Sequence, residues 1–419
     1  MPPSQFPQGL VHILVNPAAG HGHAPEFVDH HVLPLLRYLE IPFELHETTG
    51  VNDAGRIGQL IHTSNPLVNH TVIIAGGDGT AHEMIEGVLA DHEHKTRLGR
   101  WDLVILPLGT ANALFASLFP PPEQSIHAIP SNIIDFLTSQ FTPSDVIYKL
   151  SSLLTSLTSS GVPPRRLPIT LTSLSPSQTR PIPSHIVCST SLHAAILSTS
   201  ETLRASHPGL ERFGLAAKAN LGVFFHASVR LIPPPDGRVT QYNPHTQSWV
   251  DLAVYDLQGP FTYLLSTTTA PRLEPTFVIA PLLTKYPPLS TDLSMDLVIL
   301  RPLRDPRVRA ESTLAQQEEV WKLRAGEVLG QAYNNGAHVD LTYMKGGGAN
   351  TEIRGTGEVV VEYFRCAGFD WTPTDAAHEP SHLVCADGSL HTVTQGGTAQ
   401  VRMMPVGEHE GEEGFHVWG

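Results

Sequence analysis

The sequence predicts an open parallel α/β domain followed by a β-sandwich-like domain. Three observations carry this. Strand and helix patterns alternate four times in roughly the first 115 residues, the signature of crossover-connected parallel strands. Three of those strands end in glycine-rich turns. After Phe119 the texture changes, first to Pro, Ser and Thr, then to short apolar runs separated by turn residues.

Residues 11–16 (VHILVN) form an apolar run ending in a polar residue, as a buried parallel strand does. Residues 26–39 carry Phe27, Val28, Val32, Leu35, Leu36 and Leu39 near helical spacing, and Pro34 is expected to kink that helix. Residues 42–47 predict a second strand. Residues 52–63 predict a helix through Ile57, Leu60 and Ile61. Residues 71–75 predict a third strand, closed by Gly76-Gly77-Asp78-Gly79. Residues 80–90 resume helical spacing with Met84, Ile85, Val88 and Leu89, and residues 103–106 (LVIL) predict a fourth strand. Beyond it, residues 144–157 predict an amphipathic helix through Val146, Leu150, Leu153 and Leu154. Short β runs follow at 167–172, 185–192, 261–266, 276–281, 296–300, 338–344, 358–364 and 398–403. A helical stretch is expected around Phe213–Phe225, and residues 305–330 read as helical or loose. These divide the chain into an α/β domain (1–160), a β domain (161–406) and a solvated acidic tail (407–419).

The chain has 419 residues, 26 Lys plus Arg against 40 Asp plus Glu, and a net charge of −14. Such a chain is a poor bulk partner for nucleic acid, whose binding rests on neutralised phosphates. Cys188, Cys366 and Cys385 have neither a disulfide framework nor metal spacing, which fits a reducing, intracellular setting. The Met1-Pro2-Pro3 start has no positive region of a secretory signal, and no apolar run approaches the ~20 residues of a membrane-spanning helix. The expectation is a cytoplasmic protein, at most peripheral on an intracellular membrane.

The glycine turns are Asn16-Pro17-Ala18-Ala19-Gly20-His21-Gly22, Gly76-Gly77-Asp78-Gly79-Thr80 and Pro107-Leu108-Gly109-Thr110-Ala111-Asn112. One such loop is an ordinary tight turn. Three at the carboxyl edge of one parallel sheet mark the place where ligands bind. Glycine lets backbone N–H groups approach a ligand, and a helix N-terminus favours a phosphate. The spacing is neither a Walker loop nor a dinucleotide fingerprint. Asp78 stands out, because a carboxylate beside phosphates is repulsive unless Mg²⁺ or a substrate hydroxyl offsets it. Phosphoryl transfer needs that combination.

At these residues the sequence resembles the diacylglycerol kinase catalytic-domain superfamily, which includes sphingosine and ceramide kinases. Asn16–Gly22 resembles its first motif, Gly76–Thr80 with Glu83 its GGDGT motif, and Pro107–Asn112 its third. The resemblance implies a Rossmann-like domain of the NAD-kinase and diacylglycerol-kinase type before a β-sandwich, with ATP in the cleft between them. It implies a Mg²⁺- and ATP-dependent kinase acting on a lipid hydroxyl at a membrane surface. Nucleotide contacts carried over are Asn16, Pro17, Ala18, Gly20, Gly22, Thr48, Asn52, Gly76, Gly77, Gly79, Thr80, Glu83, Gly109, Thr110 and Ala111, with Asp78 as base or orienting group. Ser191–Arg204 and Glu211-Arg212-Phe213 resemble segments holding two phosphate-binding arginines, so Arg204 and Arg212 are expected on the triphosphate, or else as surface charges. Asp387-Gly388-Ser389 resembles a Asp-Gly-Glu return to the nucleotide. Leu192, Ile196, Phe224 and Phe225 are expected either to line a lipid pocket or to be ordinary core.

Three departures shape the expected acceptor. Ala195 and Leu197 stand where sphingosine kinases carry acids, one of which meets the substrate ammonium; this favours a neutral lipid alcohol. Ser389 replaces the usual Glu. The N-terminal extension of sphingoid kinases, with any membrane-targeting element in it, is expected to be missing. A NAD kinase and a non-catalytic nucleotide- or lipid-binding relative are the alternatives. His21/His23, His30/His31 and His92/His94 lack a third ligand in sequence and read as solvated.

Overall fold

A computed structural model describes residues 9–65, 68–90, 98–120, 129–140, 142–158, 163–176, 180–207, 209, 211–235, 237–289, 292–345, 348–405 and 413–419. The chain forms two compact units. The first comprises 1–168, 273–275 and 406–419, and the second 169–272 and 276–405.

The first unit is built on β1 (Val11–Val15), β2 (Phe43–Glu47), β3 (His70–Gly76) and β4 (Arg100–Pro107), in the order β2-β1-β3-β4 and all parallel. Paired residues share a face of the sheet. One face carries Val11, Ile13, Val15, Ile73, Ala75, Val104 and Leu106. It is covered by α1 (Ala24–Phe27), a π-helical turn (Val28–Val32) and α2 (Leu33–Tyr38), with Phe27, Val28, Val32, Leu35 and Leu36 against the sheet. The expected kink at Pro34 takes a specific form. Pro34 has no N–H to give to the preceding turn, and the Leu33 N–H bonds the Val28 carbonyl five residues back. The opposite face carries α3 (Asp53–Ser64) and α4 (Asp78–Ala90). These two helices lie unusually close. A Cβ on Gly58 would stand 2.7 Å from the Met84 carbonyl oxygen, and one on Gly87 would overlap the Gly55 backbone.

The helix expected at 144–157 is two helices, Ser144–Lys149 and Ser151–Leu157. Leu150, Leu153, Leu154 and Leu157 join the core under α1 and α2. Residues 413–419 differ from the expected solvated tail, most of whose acidic run lies outside the described residues. Gly414–Val417 is a strand, parallel to β4 with Phe415 beside Trp101, and Arg165–Arg166 closes the sheet antiparallel to it. The reason is apolar: Phe415, Val417 and Trp418 are buried. Ser152 secures the junction. Its Oγ accepts from the Ile105 N–H at 3.1 Å and donates to the Trp418 carbonyl at 2.7 Å, satisfying a β4 donor where the neighbouring strand has ended.

In the second unit, among the described residues, one antiparallel sheet runs Ser248–Asp251, Thr240–Asn243, Glu362–Cys366, Met295–Leu300, Tyr263–Thr267, Val187–Thr190, Leu383–Ala386, Ser389–Thr392. A second runs Asp256–Gln258, Ala227–Ile232, Gly368–Pro373, Thr398–Met403, Thr170–Ser175, Ile182–Ser184. The sheets meet face to face, with Thr172 Oγ1 3.4 Å from Cys188 Sγ and the Phe261 and Trp371 rings 5.3 Å apart. Predicted strands at 261–266, 296–300, 358–364 and 398–403 correspond to observed ones within a few residues. Residues 276–281 do not: they bend into a short helix, Leu282–Lys285. The run at 185–192 ends early, because Ser191 opens the helix Ser191–Leu203. The helices Glu211–Asn220 and Leu314–Gly330 fall where helical character was expected.

Candidate functional site

β1, β3 and β4 deliver their three glycine loops to one edge, and the loops bind one another. Asn16 Nδ2 donates to Thr80 Oγ1 at 2.9 Å, linking the first loop to the second. Asn16 Oδ1 accepts from the Ala18 N–H at 3.0 Å, which turns the chain after β1. Gly20 has φ +56°, and a Cβ there would stand 2.5 Å from the Leu108 carbonyl oxygen, so the first loop lies on the third. A Cβ on Gly77 would be 3.0 Å from the Cα of Gly109. Leu108 N–H donates to the Gly76 carbonyl at 3.0 Å. Asn112, left-handed at φ +52°, closes the third loop by accepting from Gly109 N–H and donating to Gly109 O, both at 2.9 Å.

Asp78 opens α4. Its Oδ2 accepts from the Ala113 N–H at 2.7 Å and its Oδ1 from the Leu114 N–H at 3.2 Å. These are the first N–H groups of α5 (Ala113–Leu118), so the carboxylate caps that helix and is fixed in direction. The surrounding backbone is accessible: Ala18, Gly20, Gly22, Gly79, Thr110 and Ala111 are exposed, and Pro17, Gly77 and Glu83 half-buried.

The turn after β2 comes to the same edge. Thr48 is buried and its N–H donates to the Val15 carbonyl at 2.9 Å, while Asn52 is left-handed at φ +63° ahead of α3. Asp53, absent from the sequence-level candidates, organises this turn. Its Oδ2 accepts from the Thr49 N–H at 2.8 Å and from Thr49 Oγ1 at 2.9 Å, and its Oδ1 accepts from Arg56 Nε at 2.6 Å. The Thr49 backbone bond, then Arg56, hold its carboxyl down at about 2. An Asp beside Thr-Thr-Gly was the available sequence signal, as an Asx-turn former.

The second-unit candidates are placed as follows. Arg204 follows the helix Ser191–Leu203 and is exposed, with its Nε and Nη2 on the two carboxylate oxygens of Glu201 at 2.8 and 2.6 Å. Arg212 is buried, donates to the Gly209 carbonyl at 2.9 Å and lies 4.4 Å over the Phe213 ring. The Arg204 bond, with smaller contributions from both arginine charges, lowers the Glu201 carboxyl below its usual range. Asp387 and Gly388 are the two central residues of a hairpin, with φ +48° and +99°, between the paired residues Ala386 and Ser389. The Asp387 carboxylate is buried. It accepts from the N–H groups of His185, Ile186 and Val187 at 2.7, 2.9 and 2.8 Å and lies 2.7 Å from His185 Nδ1. Leu192, Phe224 and Phe225 are core residues, and Ile196 is half-buried. Ala195 is buried and Leu197 half-buried, so Glu201 is the one carboxylate on that helix.

A parallel sheet has its three glycine loops tied together at its carboxyl edge, with a carboxylate fixed between them, in the place where open α/β sheets take ligands. Residues 10–146 match the family model of the diacylglycerol kinase catalytic domain. Kinases of the family use ATP. Acylglycerol kinase, mitochondrial, from Xenopus laevis is 27% identical over 135 residues, covering 32% of this chain and 30% of that protein. Human sphingosine kinase 1 is 33% identical over 124 residues, covering 28% of this chain and 31% of that protein. The matched stretches thus span about a third of these relatives' own length. A solved diacylglycerol kinase from Bacillus anthracis superposes with a TM-score of 0.48 at 13% identity, over 95% of this chain and 94% of that one. Among the described residues no helix is long and apolar enough to cross a membrane.

Proposed function

We propose that this protein transfers the γ-phosphoryl group of ATP to a hydroxyl of a lipid, with a neutral lipid alcohol as acceptor. The observation that carries the reading is the joined edge formed by Asn16–Gly22, Gly76–Thr80 and Pro107–Asn112, with Asp78 fixed in it by two backbone N–H groups. The exposed loop backbone would hold the phosphates, and the N-terminus of α4 would favour their charge. Thr48 and Asn52, in the Asp53-held turn, would contact the nucleotide beside them. Asp78 would accept or orient the acceptor hydroxyl proton. Its carboxylate is also a hard oxygen donor of the kind Mg²⁺ takes, and the ion would neutralise charge on the transferring phosphoryl group. The neutral acceptor rests on the helix Ser191–Leu203, whose only carboxylate, Glu201, is held by Arg204. An ammonium there would lack a partner. Arg204 and Arg212 remain nucleotide candidates, tested by alanine substitution and the KM for ATP.

The test is transfer from labelled ATP, with Mg²⁺, to diacylglycerol, monoacylglycerol, ceramide, sphingosine and phytosphingosine in separate mixed micelles, products resolved by chromatography. A labelled product from a neutral lipid is expected. Phosphorylation of sphingosine alone would overturn the acceptor assignment and leave the kinase standing. ATP binding with no product from any lipid would overturn the kinase reading.

A further inference from the structure

The parallel register of β1 and β2 gathers a cluster that no short sequence spacing reveals. His12 pairs with Glu44, and Leu14 with His46, so His12, Glu44 and His46 lie on one face at the edge of the sheet. His12 Nδ1 is 3.1 Å from His46 Nε2. Glu44 Oε2 lies 3.7 Å from the first nitrogen and 4.0 Å from the second. Both imidazoles are half-buried, while Glu44 is exposed and free to adjust.

We infer that His12, Glu44 and His46 form a binding site for a divalent transition ion of the Zn²⁺ type, separate from the nucleotide edge. Two imidazole nitrogens and one carboxylate oxygen are the donor set Zn²⁺ takes, whereas Mg²⁺ and Ca²⁺ take oxygen alone. Tetrahedral coordination at ~2.0–2.2 Å separates ligand atoms by roughly 3.2–3.5 Å. The three observed separations bracket that range, and a small rotation of Glu44 closes the difference. All three ligands sit on paired strands, so the backbone of the site is preformed. β2 is the outer strand, which leaves the fourth position open to water. His12 and Glu44 are the second residues of their strands and His46 is next to the end of β2, so the cluster draws on none of the glycine loops. An ion here would clamp the outer strand to β1, and β2 runs directly into the Thr48–Asn52 turn.

The test uses the full chain, stripped with EDTA and titrated with Zn²⁺ in competition with a chromophoric chelator. Co²⁺ serves as a second probe, read by its visible absorption. One tight equivalent is expected, with a rise in Tm on addition. His46→Asn and the exposed-site variant Glu44→Gln should each weaken binding by about ten-fold or more and lose the Tm rise. His21→Asn with His23→Asn should change neither. Melting in EDTA establishes that each variant is folded; should His46→Asn fail to fold, Glu44→Gln decides. A wild-type chain that takes no equivalent from the chelator overturns the inference, as does unchanged Zn²⁺ affinity in Glu44→Gln.

Discussion

Asp78 shows how one side chain serves architecture and chemistry together. It holds the start of α5 through two N–H groups, so its replacement must be read with both roles in view. Asp78→Asn keeps one acceptor oxygen; it is expected to cost about 1 kcal/mol of stability as a weakened cap. If Asp78 handles the acceptor proton, lipid phosphorylation falls about 100-fold or more while circular dichroism stays native. Full activity in that variant would remove Asp78 from the chemistry. Gly109→Ala tests the contact between loops: its Cβ would overlap Cα of Gly77, so the loops must separate. Weaker ATP binding and a loss of about 1–3 kcal/mol are expected, read by calorimetry and urea unfolding. The glycine loops, Asp78 and Asn112 were legible in sequence because turn chemistry is local. Asp53 carried the same kind of local signal beside Thr49, but it stands outside the glycine motifs and was passed over. Asp387-Gly388, read in sequence only as a return to the nucleotide, forms the centre of a two-residue hairpin with positive φ at both positions.

At the scale of elements, the contact of α3 with α4 depends on what is absent. Gly87→Val would drive a branched side chain into the Gly55 backbone and is expected to destabilise by about 2–4 kcal/mol. Gly214→Ala is the contrasting case. Gly214 lies inside the helix Glu211–Asn220 with open space around its missing Cβ, so alanine should stabilise by about 0.5–1 kcal/mol. Thermal melts of both variants check the pair. Helices with a clear apolar stripe, such as 52–63, were read nearly to their ends. The helix Ser191–Leu203 was missed because its Ser, Thr, His and Ala carry no stripe, and buried Ser191 and Ala194 make contacts that only the tertiary structure reveals.

The whole molecule carries a pH dependence in its buried histidines. Burial lowers His193 and His338 in the second unit and His416 in the first from 6.5 to about 4. Each binds its proton more readily when unfolded. The stability they confer is therefore complete above about pH 6.5 and drains away as pH falls toward 4. Urea midpoints should drop across that interval. His338→Gln, which can still donate to the Ile279 carbonyl, should flatten the drop; an unchanged profile would count against His338 as a contributor. The alternation of strand and helix made the parallel sheet legible, and spaced turns made the second unit legible as β. What sequence order concealed was long-range pairing. Gly414–Val417 is four residues long, flanked by glycine and acids, and finds its place beside β4 through partners distant in sequence, Trp101, Leu103 and Ser152 among them.

That returning strand also sets a timetable for biogenesis. The ribosome makes β1 to β4 early, yet the fifth strand of their parallel sheet emerges only after the entire second unit has been synthesised. At typical rates of translation the wait is roughly 15–60 s, long compared with the folding of a small domain. Throughout it the outer side of β4 faces the nascent-chain environment with unpaired amides and a Trp101 that lacks its Phe415 neighbour, a surface that invites a chaperone or a premature partner.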